Sequence, residues 1–579
     1  MSQNTTKPLV IDTQLLQTTA WNRGMGHYCK SLLTAFAKKY GSDNITLIFN
    51  KNLALEQDRR TILKKILPEA SIVELDLPTL TGDIKGGQAA ARRALDAYID
   101  ESFSEKVDFL LLQLFTYDYC AAFPTHANKL LLCFDFIPLL HWDDFSRYFG
   151  AHMYFPHFST IFEADILLAI SETTKHQLED CFAIESERIV NINGAYIERE
   201  VKPGQTFNLP EKPYILFVTA DLPHKNNQVA VDAFRRFNQE LADRFTLVFT
   251  STISEKTQKL MRSYTDKVVF TGNISDDELE ALYKGAYATM LISRVEGLGL
   301  PILEAVEHNK PVVCSTIDVF KEISKDAFYY CDPHDVDSVA FALRQAIRGV
   351  DWERKFKQYD AIRQEYTWEH SAEGLEDAIQ RAEKQKPVKA SGKLAVVYPH
   401  PSTTSGELGL YVQSLLPALQ REKHVTAYAS ADDYVDETRK PYFARFVFST
   451  GLAEEYEAHA ATRAGKALYF IDDTTASTEV LRAALLRPGY CVLTTKRVDK
   501  LLAAMVARGY VSAELVDVLP AEGRSDALVT ILEQTGNVVM LLDTQNNTLK
   551  QAKATANSEV RSPAGGRYEL AQVISEYIA

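Results

Sequence analysis

Ser293-Arg-Val-Glu296-Gly297-Leu298-Gly299-Leu300-Pro301-Ile-Leu-Glu304-Ala305 is the stretch from which the fold can be read outward. An apolar run (Ala288, Met290, Leu291, Ile292) leads into it and reads as a buried parallel strand. Pro301 fits the first position of a following helix, where its missing N–H loses nothing. Glu296 then stands in the loop beyond the strand's carboxyl end, and Glu304 in the first turns of the helix. The glycines allow close backbone approach, and a helix N-terminus offers free N–H groups to an anion. A loop acid, a backbone cradle and a second acid behind it suit a sugar joined to a phosphate. Taken singly, either glutamate could be a dipole-favoured or solvated residue.

The chain around this string is α/β. Strand-like runs at Leu9–Ile11, Thr46–Phe49, Phe109–Leu112, Leu130–Phe134 and Ile166–Ile170 alternate with helical patterns. A second set follows at Ile215–Val218, Thr246–Phe249, Val268–Phe270, Ala288–Ile292 and Pro311–Cys314. Two Rossmann-like halves are expected, residues 1–195 and 196–382, joined near Gly194–Pro203. Ligands of such sheets bind beyond the strands' carboxyl ends, where Glu296 falls. The polar run 383–393 reads as a linker. Residues 394–579 start a third α/β pattern with runs at Leu394–Tyr398, His424–Tyr428, Ala467–Ile471, Tyr490–Leu493, Leu515–Leu519 and Val538–Leu542. Asn547–Gly566 reads as a flexible tail before an amphipathic Tyr568–Ile578 segment.

A repeat ties the third pattern to the first. Gly26-His-Tyr28-Cys-Lys-Ser31-Leu32-Leu33-Thr-Ala35-Phe36 aligns without gaps to Gly409-Leu-Tyr411-Val-Gln-Ser414-Leu415-Leu416-Pro-Ala418-Leu419. The shared Gly-x-Tyr-x-x-Ser-Leu-Leu-x-Ala exceeds what helical periodicity demands, so a duplication is expected.

With 579 residues, the chain is too long for one core. A formal charge of −14 argues against a general nucleic-acid binder, which would normally be basic. No run has the length of a membrane span, and the polar start lacks a signal peptide's apolar core. The seven scattered cysteines form no C-x-x-C, which points to free thiols in a reducing cytoplasm. Arg59-Arg60-Thr-Ile62-Leu63-Lys64-Lys65-Ile66-Leu67 is a short basic amphipathic helix, ordinarily a solvated face but one that would also suit peripheral contact with anionic lipid headgroups.

The string Glu-x7-Glu within E-G-x-G-L-P-x-L-E-A resembles the signature of the retaining glycosyltransferases of family 4, whose fold is GT-B: two Rossmann-like domains facing a cleft. The resemblance implies transfer of a sugar from a nucleotide diphosphate donor to an acceptor hydroxyl, with no metal or other cofactor. It implies that Glu304 holds the ribose and Glu296 lies by the donor sugar. Backbone amides of Gly297, Leu298, Gly299 and Leu300 then meet the sugar and diphosphate. Arg23-Gly24-Met25-Gly26-His27-Tyr28 is similar to the family's R-G-x-G-x-Y loop and makes Gly24 and Gly26 candidate diphosphate contacts. Lys225, in Ala220-Asp221-Leu222-Pro223-His224-Lys225-Asn226, matches the family's lysine for the leaving group. Ala220 and His224 stand where the family's two versions of this loop carry arginine, so His224 is a candidate only if cationic. Asp135, in Phe134-Asp135-Phe-Ile-Pro, matches the family's cleft acid but follows Phe instead of His or Tyr; it could equally cap its own turn. Asn273 and Ile274 resemble the loop whose main chain meets the nucleobase, beside a capping box of Ser275 and Glu278.

The flavour of Ile11-Asp-Thr-Gln-Leu-Leu-Gln17 and Phe134–Leu140 is similar to bacterial transferases of O-antigen and capsular polysaccharide synthesis. A glycan or lipid-linked acceptor is implied, with GDP-mannose as first expectation for the donor and dTDP-rhamnose or UDP-glucose as alternatives. Another GT-B chemistry, such as a phosphorylase or epimerase, would not call for this pairing of loop and acids. A noncatalytic scaffold recruiting other assembly enzymes stays open for residues 394–579, which resemble the N-terminal half of a second transferase without an E-G-x-G-L-P string. Asp335-Val-Asp337 is expected to cap a helix and not to bind a metal.

Overall fold

The computed structural model describes residues 7–140 and 157–384 with short interruptions (55, 81–83, 116–117, 158, 183, 200–209 and 211–212) and, beyond 384, the strands and helices placed between Lys393 and Val560. They form two compact units. One comprises residues 1–148, 164–177 and 186–384, the other 149–163, 178–185 and 385–579. Two short segments of the expected 1–195 domain thus count with the second unit, because a unit follows packing and not chain order.

In the first unit, a seven-stranded sheet is made of β1 (Leu9–Asp12), β2 (Ile45–Asn50), β3 (Ser71–Leu75), β4 (Val107–Leu111), β5 (Ala127–Cys133), β6 (Ile166–Ala169) and β7 (Ile189–Asn191), ordered 3-2-1-4-5-6-7. A six-stranded sheet follows: β8 (Tyr214–Val218), β9 (Thr246–Thr250), β10 (Val268–Phe270), β11 (Ala288–Leu291), β12 (Val312–Ser315) and β13 (Tyr329–Cys331), ordered 10-9-8-11-12-13. All pairings in both sheets are parallel. Helices cover both faces of such sheets, so central strands such as Leu9–Asp12 and Ala288–Leu291 are buried along their whole length and read as continuous apolar runs. These are two Rossmann-like domains, as expected.

The helices that build the cleft are α1 (Gly24–Tyr40), α2 (Gln57–Ile66), α3 (Glu172–Phe182), α4 (Asn227–Gln239), α5 (Asp276–Gly285), α6 (Leu300–Glu307), α7 (Asp318–Ser324) and α8 (Trp368–Lys384). Although α8 lies within the expected 196–382 domain, it packs against α1, β5 and β6 of the first sheet. Its stripe of Ser371, Ala372, Leu375, Ala378 and Ala382 is buried there at helical spacing. Tyr28 of α1 is sandwiched edge-on between Phe134 and Trp368, with ring centroids 5.3 and 5.0 Å away. Across the cleft, Glu322 of α7 accepts from the backbone N–H groups of Glu172 (2.8 Å) and Thr173 (3.0 Å), so a side chain of one domain caps a helix of the other.

Three cations of the basic helix α2 have partners within the protein, Arg60 and Lys64 at its surface. Arg59 donates to the carbonyls of Leu16 (3.3 Å) and Thr18 (2.9 Å), Arg60 pairs with Glu74 (2.6 Å), and Lys64 donates to Ala70 O (2.7 Å). Leu63 and Leu67 are buried in the first core. No described helix is long and apolar enough to cross a membrane. The described cysteines are free and buried.

The second unit carries a sheet of β14 (Lys393–Pro399), β15 (His424–Ser430), β16 (Arg445–Phe448), β17 (Lys466–Ile471), β18 (Tyr490–Leu493), β19 (Val538–Asp543), β20 (Thr548–Gln551) and β21 (Glu559–Val560), ordered 16-15-14-17-18-19-20-21. Its parallel part repeats the order of the first sheet. The repeated helix buries Val412, Leu415, Leu416 and Leu419, which align with the buried Cys29, Leu32, Leu33 and Phe36 of α1. The expected tail at 547–566 instead contains β20, paired antiparallel on β19, and β21, paired antiparallel on β20. A ladder needs only backbone donors and acceptors, so a polar composition did not reveal it. The expected strand Leu515–Leu519, the linker beyond Lys384 and the Tyr568–Ile578 segment lie outside the described residues.

Asp12 and Asp108 end or begin central strands and are buried, which raises the pKa of each to about 6. Each therefore binds a proton in the folded state at pH values where the unfolded chain has released it. Their contribution falls as pH rises through 6, the opposite of a salt-bridged carboxylate. Asp108→Asn keeps the acceptor for Asn128 Nδ2 (2.7 Å) but removes the titration. The loss of melting temperature between pH 5 and pH 8 should be smaller in the variant than in the parent, and an unchanged loss would refute this.

Candidate active site

Strand β11 ends at Leu291 and delivers the loop 292–299 to the carboxyl edge of the second sheet. Arg294 N–H donates to His224 O (2.8 Å), which joins this loop to the one after β8. Lys225 is thereby brought to Glu296: its Nζ donates to Oε1 at 2.6 Å, and Ser293 Oγ donates to the same oxygen at 2.6 Å. Gly299 has φ +88°, and a Cβ there would lie 2.6 Å from Phe320, so both conformation and space require glycine. α6 starts at Leu300, one residue earlier than Pro301 suggested, with no side chain capping it.

The first sheet supplies the opposite wall. α1 begins at Gly24, also without a side-chain cap. Its first turn, with Gly24 and Met25, shares one cavity of about 280 Å³ with Asp135, Thr219, Ala220, Lys225, Glu296 and Gly297–Pro301. Two helix N-termini, one from each domain, thus line the same space, and each leaves early N–H groups without intrahelical partners. The domains meet closely beside it. A Cβ on Gly297 would lie 2.4 Å from Phe134 O, and Gly297 O accepts from Ser171 Oγ at 2.7 Å.

The two acids of the cavity are set apart electrostatically. Burial pushes Glu296 upward, but Lys225, His224 and the two hydrogen bonds outweigh it, so its pKa lies below the ordinary value. Burial dominates at Asp135 and raises its pKa, opposed by the Ile137 N–H (3.0 Å) and helped by the charge of Glu296. Asp135 therefore both lines the cavity and caps its own turn. A carboxylate poised to stay ionised next to one inclined to hold its proton is the environment in which acids take different roles.

Other candidates lie elsewhere. Gly26 does not line the cavity. Its missing Cβ is required by Ala20 O at 2.2 Å and by Trp21, which lets α1 pack on the preceding turn. His224 is buried, and its charge helps to lower the pKa of Glu296. Asn273, whose Oδ1 accepts from Thr252 Oγ1 at 2.9 Å, and Ile274 precede α5 outside the cavity, and the Ser275–Glu278 capping box is present. Asp335 caps the helix Val336–Ile347, accepting from Asp337 N–H at 2.9 Å. Glu304 is buried one turn behind Leu300, paired with Arg199 Nη2. Arg199 is the residue that sequence reading missed. It follows the crossing between domains within Glu198-Arg199-Glu200, which reads as a solvated charge run.

Two substitutions test this geometry. Lys225→Met leaves a buried carboxylate without its cation, so the effect of Glu296 on stability reverses sign. In the parent its contribution is lost as pH falls through the depressed value; in the variant stability falls as pH rises, and denaturant melts at pH 5 and 8 resolve the two. Gly297→Ala should keep the circular-dichroism spectrum but stop the domains from meeting, lowering turnover of a cleft ligand by about 10²-fold. Unaltered turnover would mean that this contact does not matter.

Residues 198–363 match the model of the glycosyl transferases group 1 family. The serotype-specific mannosyltransferase WbdA of Escherichia coli is 24% identical over 398 residues, which are 63% of this chain and 47% of that protein. The O-antigen chain mannosyltransferase RfbU of Salmonella typhimurium is 27% identical over 244 residues, 41% of this chain and 66% of that one. The chain thus spans about half of the first relative and just under two thirds of the second. Among solved structures, the apo form of the lipopolysaccharide outer core galactosyltransferase WaaB aligns with 66% of this chain and 100% of its own at 17% identity, with a TM-score of 0.45. The matched span begins at the crossing between the domains and contains β8 to β13, Lys225 and the whole Glu296–Glu304 string. Over residues 198–363 the chain is thus similar to the glycosyl transferases of group 1.

Proposed function

We propose that residues 8–382 form a retaining glycosyltransferase that moves a hexose from a nucleotide diphosphate to a hydroxyl of a glycan or lipid-linked glycan in surface polysaccharide synthesis. The observation that carries this reading is the convergence of two uncapped helix N-termini and Lys225 on one cavity walled by Glu296 and Asp135. Helix N-termini and a lysine stabilise charge that develops on a departing diphosphate. Glu296 orients the sugar. Asp135 faces the acceptor hydroxyl, whose proton passes to the leaving phosphate on the same face of the sugar. Glu304 anchors the ribose, and the main chain at Asn273 and Ile274 meets the base. No step calls for a metal, so transfer persists in excess EDTA.

Mannose from GDP-mannose is the first choice of donor, supported by the names of the two mannosyltransferases above. UDP-glucose and dTDP-rhamnose are the alternatives. The second unit, with a sheet of the acceptor-domain order, serves as a recognition or assembly module for the same polysaccharide machinery.

Donor hydrolysis and thermal stabilisation are measured across GDP-mannose, UDP-glucose, UDP-N-acetylglucosamine and dTDP-rhamnose, because a ligand that binds only the folded state raises its melting temperature. One donor should respond, and Glu304→Ala should weaken that response at least about tenfold, as expected for a lost charged hydrogen-bond acceptor. Silence from every donor would sink the transferase reading and leave the scaffold.

A further inference from the structure

The segment Ile192–Arg199 carries the chain from the first sheet toward the second, fixed on both sides. Ile192 N–H donates to Ala169 O (2.8 Å), and Trp368 Nε1 donates to Tyr196 O (2.8 Å). Tyr196 Oη donates to Glu280 Oε2 (3.0 Å). The last described residue of the segment, Arg199, has a side chain only 5% exposed, and its Nη2 holds Glu304, itself 4% exposed. Arg199 Nε is 3.5 Å from Asp276 Oδ1, at the start of α5, without forming a hydrogen bond. Among the described residues, neither Nε nor Nη1 has an acceptor.

That pattern does not suit a purely structural ion pair. A guanidinium offers five N–H donors in a rigid fork, and buried donors without acceptors are both costly and few in folded proteins. A group meant only to neutralise Glu304 could be a lysine, or could turn its spare N–H groups to water. The surroundings are those of the donor cleft. Glu304 and the cavity-lining Leu300 are four residues apart and share a face of α6. His27 approaches from the other domain, one turn along α1 from Gly24. Burial, then Lys30 and Arg199, lower its pKa to about 4, against the pull of Asp276, which leaves the imidazole neutral. The hydroxyl of Tyr283 faces Glu304 as well.

We propose that Arg199 is a donor-binding residue: Glu304 holds one edge of its guanidinium, and Nη1 and Nε offer the other to acceptor oxygens of a nucleoside diphosphate. The proposal rests on the reading of this cleft as a nucleotide-sugar site. Glu304 accepts from ribose hydroxyls while Arg199 donates to an oxygen of the same nucleotide, so the pair recognises a ligand that carries donors and acceptors side by side. The cavity of about 280 Å³ falls just below the usual range of roughly 300–1,000 Å³ for ligand sites. On binding, the buried N–H groups of Arg199 would gain the acceptors they lack.

The test is calorimetric titration of the full chain with GDP, UDP and dTDP, continued with whichever binds the parent tightest and with its free nucleoside. Arg199→Lys keeps a cation for Glu304 but lacks the second edge of the fork. It should melt close to the parent yet bind the nucleoside diphosphate about 10- to 100-fold more weakly, the effect of losing charge-assisted hydrogen bonds. Arg199→Ala, compared by circular dichroism first, should weaken binding at least as much. A loss seen with the diphosphate but not with the nucleoside assigns the contact to phosphate oxygens; an equal loss with both assigns it to ribose or base. Parent-like or tighter binding by Arg199→Lys overturns the proposal while leaving the site reading intact. Failure of the parent to bind any of the three nucleotides overturns both.

Discussion

A side chain at position 297 would hold the two sheets of the first unit apart. Its absence lets the backbone of the second domain approach the carbonyl of Phe134 and the Cβ of Asp135, and the remaining geometry follows. At that approach Ser171 reaches Gly297 O, Asp135 and Glu296 come to line the same space, and the first turn of α1 faces the start of α6. The contact carries hydrogen bonds at its edges, which fix how the domains meet. Apolar residues of both domains, Tyr28 and Phe134 of one and Leu298 and Ile302 of the other, join the same core beside these hydrogen bonds, each of which is worth about 1 kcal/mol net.

The charges in the cleft are arranged around that approach. Lys225 would be a poor partner for two buried carboxylates, since one ammonium cannot neutralise both. The structure divides the work: Lys225 and Ser293 hold Glu296 ionised, and Asp135 depends on a backbone N–H and burial. Glu304 is assigned to Arg199 and not to Lys225, so each of these two buried acids has a cation of its own. Such paired charges are weak contributors to stability, because desolvation offsets much of the attraction. Their placement along a cleft is better explained by a ligand that carries charge at one end and hydroxyls at the other.

The parts legible in the sequence are those that burial writes into it. Continuous apolar runs located β1, β2, β4 to β6 and β8 to β12, because strands covered on both faces leave little room for polar residues. β3, with Ser71 and Glu74 exposed, lies at a sheet edge and lacks that signature. β7 and β13, like β10, are three-residue edge strands, and of the three only β10 was read from its apolar run. The Glu296–Glu304 string was legible because its glycines and proline record backbone geometry directly. Gly26 was legible as a required glycine, but the reason turned out to be the packing of α1 on Ala20 and Trp21. Arg199 was not legible. A charged residue between two glutamates carries no mark of burial, and only the folding of the crossing segment against α8 and the second domain puts it inside.

The second unit shows how far a repeat can be trusted. Identity between the two copies of the helix is partial, yet the four positions that are buried in one are buried in the other, and the parallel strands keep the order 3-2-1-4-5-6. What has been kept is the set of residues that hold a helix on a parallel sheet. The residues that give the first sheet its chemistry have no such protection from packing. Asp135 and the first turn of α1 acquire a use only because a second sheet supplies Lys225 and Glu296 across the gap. The core of such a sheet is kept for reasons of stability, and its binding edge can change without cost to that core.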